Sequence, residues 1–323
     1  MTRVVIVGGG QNGSRHLQSL AASKEKLEIF VVDPSRSALD TCKLRFDSVK
    51  GETQSLLFLE EDYLSLPKSV DLAIIATGSR HRKAGLENFF DKSSACFLIL
   101  EKFLFPNKSD YADVSQLIQR KGVHAWVNCN LRTMPIFQWI KRLLKLDSKL
   151  VLRINGSRWG LGCNSVHFMD LFSFFVDRHP DCYEILNIDL DEKVIASKRV
   201  GYIEFNGRIE IGCNEDRLVL DSEPNGTKPL VISIENDVNK WTLVKGLDQV
   251  LVSQIGSKSI LKRAVTLPLQ SEMTSKILDQ LAITGTCDLP SWDIAFSYHL
   301  AFIEWVLRDF ATKGHSFEDL MVT

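Results

Sequence analysis

The sequence predicts a doubly wound parallel α/β domain followed by an α+β domain with a large, mostly antiparallel open sheet. Three observations support this order. Short apolar runs alternate with helical stretches over the first 129 residues, and a glycine-rich turn directly follows the first run. From about residue 183, strand-like runs follow one another with no helix between them, which is typical of antiparallel sheets. We therefore predict domains at 1–129 and 130–323.

The apolar runs of the first domain are typical of strands buried on both faces of a parallel sheet. The predicted strands are Val4–Val7, Glu28–Val32, Leu72–Ala76, Cys96–Leu100 and Ala125–Val127. Helical spacing of apolar residues predicts helices at His16–Ala22 and Ser109–Gln119. This alternation implies right-handed crossovers between parallel strands.

The second domain is predicted to begin with two helices and a strand, at Ile136–Leu144, Leu150–Ile154 and Val166–Phe175. Strand-like runs then fill the chain from Tyr183 to Val244, and helices return at Ser271–Leu281 and Trp292–Phe310. Asn206-Gly207 lies between two of the runs, and this dipeptide predicts a tight hairpin turn.

Composition favours a small-molecule partner. The formal net charge of the 323 residues is −1, so no overall field attracts nucleic acid or an anionic membrane. No stretch approaches the roughly 18 apolar residues of a membrane span, and the first strand starts too early for a signal peptide. The seven cysteines are scattered and form no C-x-x-C pair. We therefore expect a cytoplasmic protein with reduced thiols, no disulfide and no metal site.

Gly8-Gly9-Gly10-Gln11-Asn12-Gly13 fits G-x-G-x-x-G between a strand and a helix. In this pattern Gly8 makes the tight turn, Gly10 lets the backbone approach a pyrophosphate, and Gly13 lets helix and strand pack closely. The helix N-terminus adds N–H donors for phosphates. The alternative is a glycine-rich turn without a ligand. We assign Gly8, Gly10, Gln11, Asn12 and Gly13 to the cofactor site of a Rossmann domain.

Asp33 ends the second strand, twenty residues after Gly13. An acidic side chain there accepts hydrogen bonds from the adenosine ribose hydroxyls and repels a 2′-phosphate, which predicts NAD as the cofactor. Arg36 is close enough to allow NADP instead. The alternative role for Asp33 is to cap the turn at Pro34-Ser35.

Further segments follow in a fixed order: His16 after the glycine turn, Ala76-Thr77, Leu100-Glu101-Lys102, Asn130-Leu131-Arg132 with Pro135, and Gly162 to Asp170 with His167 inside it. Together they resemble the motifs of the glucose–fructose oxidoreductase and inositol dehydrogenase (Gfo/Idh/MocA) family over essentially the whole chain. Gly78 and Phe103 stand where the family has prolines.

The resemblance implies hydride transfer between a nicotinamide cofactor and a hydroxyl or keto carbon of a sugar, cyclitol or nucleotide-linked sugar. It places Thr77 and Glu101 in the cofactor site and Lys102 against the reacting hydroxyl. His167 becomes the general acid/base, because removing hydride from an alcohol requires that the hydroxyl proton leave. Lys102 as a solvated strand-end lysine and His167 as a satisfied helix histidine are the alternatives.

Cys163 stands where the family commonly has an aspartate, four residues before the histidine. An uncharged thiol does not replace that carboxylate. The proton relay is then rearranged, the substrate is unusual, or turnover has been lost. Other candidates for the substrate site are Arg132, Arg158, Asn164 and Asp170. The alternative role for both arginines is an interdomain salt bridge, and the alternative for Asp170 is a structural cap.

Two rival functions stay open: a non-catalytic member that binds cofactor or ligand, and a Rossmann reductase of another substrate class, such as imines or tetrapyrroles. The resemblance also implies a homodimer or homotetramer. We expect the face of the open sheet away from the active site to expose apolar side chains, because large apolar patches usually mark interfaces.

Overall fold

The computed structural model describes residues 1–49, 55–144 and 149–323. Numbered along the chain, its strands are β1 (Thr2–Val7), β2 (Leu27–Val32), β3 (Leu56–Glu60), β4 (Val70–Ile75), β5 (Ala95–Leu100), β6 (His124–Val127), β7 (Val151–Ser157), β8 (Glu184–Leu190), β9 (Ile195–Ala196), β10 (Ile203–Glu204), β11 (Gly207–Cys213), β12 (Asp216–Glu223), β13 (Val231–Glu235), β14 (Asn239–Val244), β15 (Gln249–Gln254) and β16 (Ile260–Ala264). Its helices are α1 (Gln11–Ala21), α2 (Arg36–Val49), α3 (Ser79–Lys92), α4 (Lys108–Lys121), α5 (Pro135–Leu143), α6 (Leu161–Val176), α7 (Thr274–Thr284) and α8 (Trp292–Thr312). Within the described ranges, no helix is both long enough and apolar enough to cross a membrane.

The chain divides into two compact units. The first contains Met1–Phe105, Ser109–Asn128 and Pro268–Trp292. Its six parallel strands lie in the order β3-β2-β1-β4-β5-β6. Strands are added from β1 towards one edge of the sheet and from β4 towards the other, so the strand order switches between these two central strands. The apolar runs of β1 and β4 are buried, as parallel strands covered on both faces must be. The predicted Rossmann architecture is confirmed.

A C-terminal segment, Pro268–Trp292, returns to this first unit. Ile277, Leu278 and Leu281 of α7 belong to the same buried core as Leu17 and Leu20 of α1. Burial of this apolar face stabilises the return, because each such side chain contributes about 1.5–3 kcal/mol when it leaves water. The backbone N–H of Val127 on β6 also donates to the carbonyl of Pro290 at 3.0 Å.

The second unit contains Pro106–Lys108, Cys129–Leu267 and Asp293–Thr323. Its eight-stranded sheet has the order β16-β15-β14-β13-β7-β12-β11-β8, and all these pairs are antiparallel except β7 with β12. The predicted mostly antiparallel sheet is therefore confirmed. One face is apolar and covered by α6, with Leu152, Ile154, Leu218 and Leu220 buried there.

The opposite face of this sheet differs from the apolar surface that we expected. Arg153 and Asn155 on β7 are exposed, and they pair in register with Val219 and Asp221 on β12. Arg208 on β11 forms salt bridges on this face. The expectation of an apolar face is wrong for these strands. Successive side chains of a strand point to opposite faces of the sheet, and those that point to this face include charged and polar ones.

The predicted hairpin at Asn206-Gly207 is also wrong. β10 pairs with β9, whereas β11 pairs with β12 and β8. Gly207 is the first residue of β11 at φ +126°, and a Cβ there would lie 2.4 Å from the carbonyl oxygen of Asp189. Glycine at this position therefore allows β8 and β11 to approach each other closely.

The structure joins Cys182 and Cys213 in a disulfide, contrary to the prediction that all thiols are reduced. Cys182 precedes β8 and Cys213 ends β11, and the antiparallel register pairs Glu184 with Gly212. This pairing brings the two Cα atoms to 5.1 Å, across a separation of 31 residues. The five remaining cysteines are reduced: Cys42, Cys96, Cys129, Cys163 and Cys287.

We expect protein unfolded without reductant to titrate five thiols, rising to seven after reduction. Cys182→Ser should titrate six without reductant, since it frees Cys213. Its free energy of unfolding should fall by about 2–4 kcal/mol, because the unfolded chain is no longer cross-linked. Thiol titration and denaturant unfolding measure both effects. Seven thiols in the unreduced wild type would contradict the disulfide.

Candidate active site

The glycine turn connects β1 to α1 and has the geometry of a phosphate-binding loop. Gly8 has φ +98°, and a Cβ on it would lie 2.8 Å from the backbone nitrogen of Thr77. A Cβ on Gly13 would lie 1.8 Å from the Gly8 carbonyl oxygen. A Cβ on Gly10 would meet nothing within 4 Å, so open space lies beside the start of α1. A side chain at Gly8 or Gly13 would therefore clash with backbone atoms, whereas Gly10 borders space that a ligand can occupy.

Asp33 lies against this turn. Its Oδ2 accepts the backbone N–H of Gly9 at 2.7 Å, and its Oδ1 accepts the N–H of Ser35 at 2.8 Å. The carboxylate is half-buried. The side chain caps the turn at Ser35, and the same carboxylate lies beside the glycine loop, a position compatible with the predicted ribose role.

Gln11 and Asn12 open α1, and each contacts a charged partner. The Gln11 Oε1 accepts a hydrogen bond from Arg45 on α2 at 2.8 Å. The Asn12 amide donates to Oε2 of Glu101 at 3.2 Å. The second bond joins the glycine turn to the end of β5.

Glu101 is a buried carboxylate with several donors. His16 Nε2 lies 2.8 Å from its Oε1, and the Asn128 amide donates to the same oxygen at 2.5 Å. Burial alone would raise the pKa of Glu101, but the hydrogen bond and charge of His16, the Asn128 bond and the positive charge of Arg82 outweigh it and lower the pKa to about 2. His16 Nδ1 meets the Thr274 hydroxyl at 2.8 Å.

Arg82 on α3 is a residue that the sequence analysis missed. It is 1% exposed, and its guanidinium donates to the carbonyls of Thr77 at 2.5 Å, of Leu104 at 2.8 Å and of Phe103. It therefore ties the loop after β4 to the loop after β5. No local pattern pointed to it, because a charged residue within a helical stretch normally faces solvent.

Lys102 lies between these two buried charges. Glu101 precedes it in the hydrogen-bonded network, and Phe103 follows it with its carbonyl bound to Arg82. The lysine side chain itself is half-buried. The backbone on both sides of Lys102 is thus fixed, at the carboxyl end of a parallel strand, where such folds bind ligands.

In the second unit, α6 carries the segment with His167. The helix starts after Gly160, at φ +86°, and the Glu204 carboxylate accepts the backbone N–H groups of Gly162 and, at 3.2 Å, Cys163. A carboxylate there satisfies free N–H groups and favours the positive end of the helix dipole. His167 lies one turn further along and is half-buried. Glu204 was not predicted, since it reaches the helix from β10.

The four candidates for the substrate site lie in different settings. Arg132 and Asp170 form a buried ion pair in which Nε and Nη2 meet the two carboxylate oxygens at 2.8 Å each. Asn164 donates its amide to the Trp159 carbonyl at 2.8 Å. Arg158 is exposed and donates to the Gly226 carbonyl at 3.4 Å.

A cavity of about 260 Å³ lies in the second unit, and His167 and Asn164 line it. Trp159 and Phe168 form part of the wall, with their rings 5.5 Å apart in an edge-to-face arrangement. Side chains from β13 and β14, including Ile232, contribute the opposite wall. A candidate acid/base therefore lines a partly open, largely apolar cavity.

Residues 2–129 match the model of the Gfo/Idh/MocA family, described as an oxidoreductase family with an NAD-binding Rossmann fold. This match confirms the resemblance and the NAD cofactor for the first domain. No curated protein matches the chain.

Solved structures share the fold over nearly the whole chain at low identity. An oxidoreductase from Agrobacterium radiobacter in complex with NAD+, L-tartaric acid and magnesium is 17% identical, with a TM-score of 0.70 over 99% of this chain and 98% of its own. Biliverdin reductase from Synechocystis sp. PCC 6803, in complex with biliverdin and NADP+, is 14% identical, with a TM-score of 0.69 over 97% and 99%. UDP-N-acetylglucosamine 3-dehydrogenase from Acidithiobacillus ferrooxidans is 14% identical, with a TM-score of 0.66 over 97% and 99%.

We predict that Asp33→Asn weakens NAD binding about 10- to 100-fold and narrows the preference for NAD over NADP. The amide keeps an acceptor for the Gly9 N–H but loses the charge that strengthens ribose hydrogen bonds and repels a phosphate. Asp40→Asn, at an exposed position on α2, is the matched control. Fluorescence titration with NADH and NADPH measures both affinities, and an unchanged ratio would leave Asp33 as a turn residue only.

We also predict a pH-dependent role for Glu101 in stability. Its pKa is lowered in the folded state from 4.5 to about 2, so its contribution is complete above the unfolded value and is lost as the pH falls from 4.5 towards 2. The difference in free energy of unfolding between wild type and Glu101→Gln should shrink across that window. Denaturant unfolding at several pH values tests this, with the partly exposed Glu304→Gln as control. A difference that stays constant with pH would exclude a charged Glu101.

Proposed function

We propose, on the premise that residues 2–129 belong to the Gfo/Idh/MocA oxidoreductase family, that this protein passes a hydride between NAD(H) and a hydroxyl or keto carbon. The substrate class that the sequence resemblance implies is a sugar, cyclitol or nucleotide-linked sugar. The shared fold of UDP-N-acetylglucosamine 3-dehydrogenase supports that class. We further propose that the second unit, without the segment Pro268–Trp292 that returns to the first, forms the substrate domain and that the protein assembles as a homodimer or homotetramer.

The observation that carries the proposal is the way in which Lys102 is held. Its backbone is fixed by Glu101 on one side and by the Phe103 carbonyl on the other. Through Asn12, the same Glu101 contacts the glycine turn. A lysine held rigidly next to a dinucleotide turn is arranged for chemistry, because positioning supplies much of the catalytic effect of such groups.

The residues of the turn fit a dinucleotide. Gly10 borders open space at the N-terminus of α1, where N–H groups suit a pyrophosphate, and Asp33 lies where ribose hydroxyls need an acceptor. When bound, NAD supplies or accepts the hydride. Thr77 borders the same turn, since its backbone lies 2.8 Å from the Cβ position of Gly8.

In the proposed mechanism Lys102 and His167 manage the hydroxyl proton. The Lys102 ammonium donates a hydrogen bond to the substrate oxygen, which stabilises negative charge there as the carbon–hydrogen bond breaks. His167 accepts the hydroxyl proton during oxidation and returns it during reduction. Cys163 stands where the family commonly has the carboxylate that pairs with this histidine, so the proposed proton relay is rearranged relative to that of the family. Asn164, Arg158, and the pair of Arg132 and Asp170 are proposed to shape the substrate side.

We expect Lys102→Ala and His167→Ala each to lower kcat about 10²–10⁴-fold, the usual range for a positioned acid/base. NADH affinity should stay within a few-fold of wild type, and the two losses should be non-additive because both groups act on one hydroxyl. Lys92→Ala and His179→Ala, at exposed positions, are matched controls. Steady-state kinetics on an identified substrate tests this. Full activity of Lys102→Ala would overturn the mechanism, and NADH binding without turnover of any alcohol or ketone would favour the non-catalytic rival.

Cys163→Asp gives an independent test of His167. If the new carboxylate reaches the imidazole, it should raise the pKa of His167 and shift the pH–rate profile to higher pH. Cys163→Asn, which adds no charge, is the control. An unchanged profile in the aspartate variant would mean that residue 163 does not contact the acid/base.

A further inference from the structure

The cavity beside His167 has walls that do not suit a free polyol. Among the described residues that line it, the polar side chains are Asn164, His167, Lys245 and Gln249, and the others are apolar. Lys245 is exposed and Gln249 half-buried, so both lie towards the rim. The interior therefore presents mainly hydrocarbon and aromatic surface.

Two donor groups in the wall already have partners within the protein. The indole N–H of Trp159 donates to the Asp221 carbonyl at 2.8 Å, so this residue offers its ring to the cavity and not its donor. The Asn164 amide donates to the Trp159 carbonyl at 2.8 Å. A sugar ring in this space would leave several hydroxyls without partners, and an unpaired buried hydroxyl costs free energy that an apolar group does not lose.

The volume indicates how large an apolar occupant can be. A dry cavity of about 150 Å³ lined by aliphatic and aromatic side chains binds benzene. At about 260 Å³, this cavity has room for a larger group, such as two fused aromatic rings or a medium-length alkyl chain. Ligand pockets of this kind combine apolar walls with a few polar groups that fix orientation, and His167 supplies one.

We propose that the substrate carries an apolar group of about two fused rings, which fills this cavity and places the neighbouring hydroxyl or keto carbon at His167. This inference rests on the proposed hydride transfer and restricts its substrate to an alcohol or ketone with a hydrophobic substituent, which leaves out free sugars and free cyclitols. Trp159 and Phe168 contact the substituent, and Val244 lines the same space from β14.

The test compares 2-acetonaphthone with myo-inositol as probes of the full-length protein. Isothermal calorimetry measures binding with and without NADH, and NADH oxidation measures turnover. Ile232→Trp fills the cavity from β13, and we expect it to weaken naphthyl ketone binding at least about ten-fold, as steric exclusion from a fitted apolar pocket does. Ile260→Trp changes the same residue type at a 61% exposed position outside the lining residues and should stay within about two-fold of wild type.

A second variant guards against misfolding of the first. Leu247 lines the cavity at 48% exposure, so Leu247→Gln should fold normally and weaken the naphthyl ketone several-fold, while Ile255→Gln, exposed and outside the lining residues, should not. Saturable binding of the ketone that both cavity variants weaken supports the proposal. Tighter binding of myo-inositol that Ile232→Trp abolishes would overturn it, and so would failure of the ketone to bind the wild type.

Measuring turnover distinguishes failure of this inference from failure of the proposed function. Cavity binding of 2-acetonaphthone with no NADH oxidation by any alcohol or ketone pair would leave the apolar site standing and refute the oxidoreductase mechanism. NADH oxidation with polyols alone, without ketone binding, would refute the apolar site and leave the mechanism standing.

Discussion

The buried carboxylate of Glu101 constrains the first unit more than any other single group described. A charge removed from water is tolerated only where donors replace its hydration, and these donors come from separate parts of the chain: Asn12 and His16 on α1, and Asn128 after β6. Satisfying one carboxylate therefore fixes the glycine turn, the end of β5 and the end of β6 against one another. Local order at the carboxyl edge of the sheet follows from this requirement.

Arg82 complements that carboxylate with a buried positive charge. Its donors bind carbonyl oxygens on the loops after β4 and β5, and its charge helps to keep Glu101 ionised. Lys102 follows Glu101 directly, so the buried network holds the main chain that carries this half-buried side chain. Rigid support beneath a reactive side chain is how catalytic groups keep their geometry without strain in the side chain itself.

The sequence was most informative where a local pattern determines the structure. Continuous apolar runs predicted five of the six parallel strands, although the similar run of β3 was missed, and the glycine spacing predicted the dinucleotide turn. Features that depend on distant pairing were missed or mistaken. The Cys182–Cys213 bond depends on the register between β8 and β11. Gly207 is needed because the Asp189 carbonyl on β8 lies close to it, and the buried Arg82 donates hydrogen bonds to carbonyls of other loops. In the candidate site, motif residues were identified, while their partners Thr274 and Glu204 had no signal near them in the chain.

The return of Pro268–Trp292 to the first unit has a consequence for biosynthesis. During translation, the glycine turn and all six parallel strands leave the ribosome long before Thr274, the partner of His16, has been made. Domains that are contiguous in sequence fold as they emerge, N-terminal first. Here the first unit cannot complete its core until the whole intervening sheet has been synthesised. During that time the face of α1 that α7 later covers stays exposed to water. Chaperone contact during that interval would fall on Leu17 and Leu20.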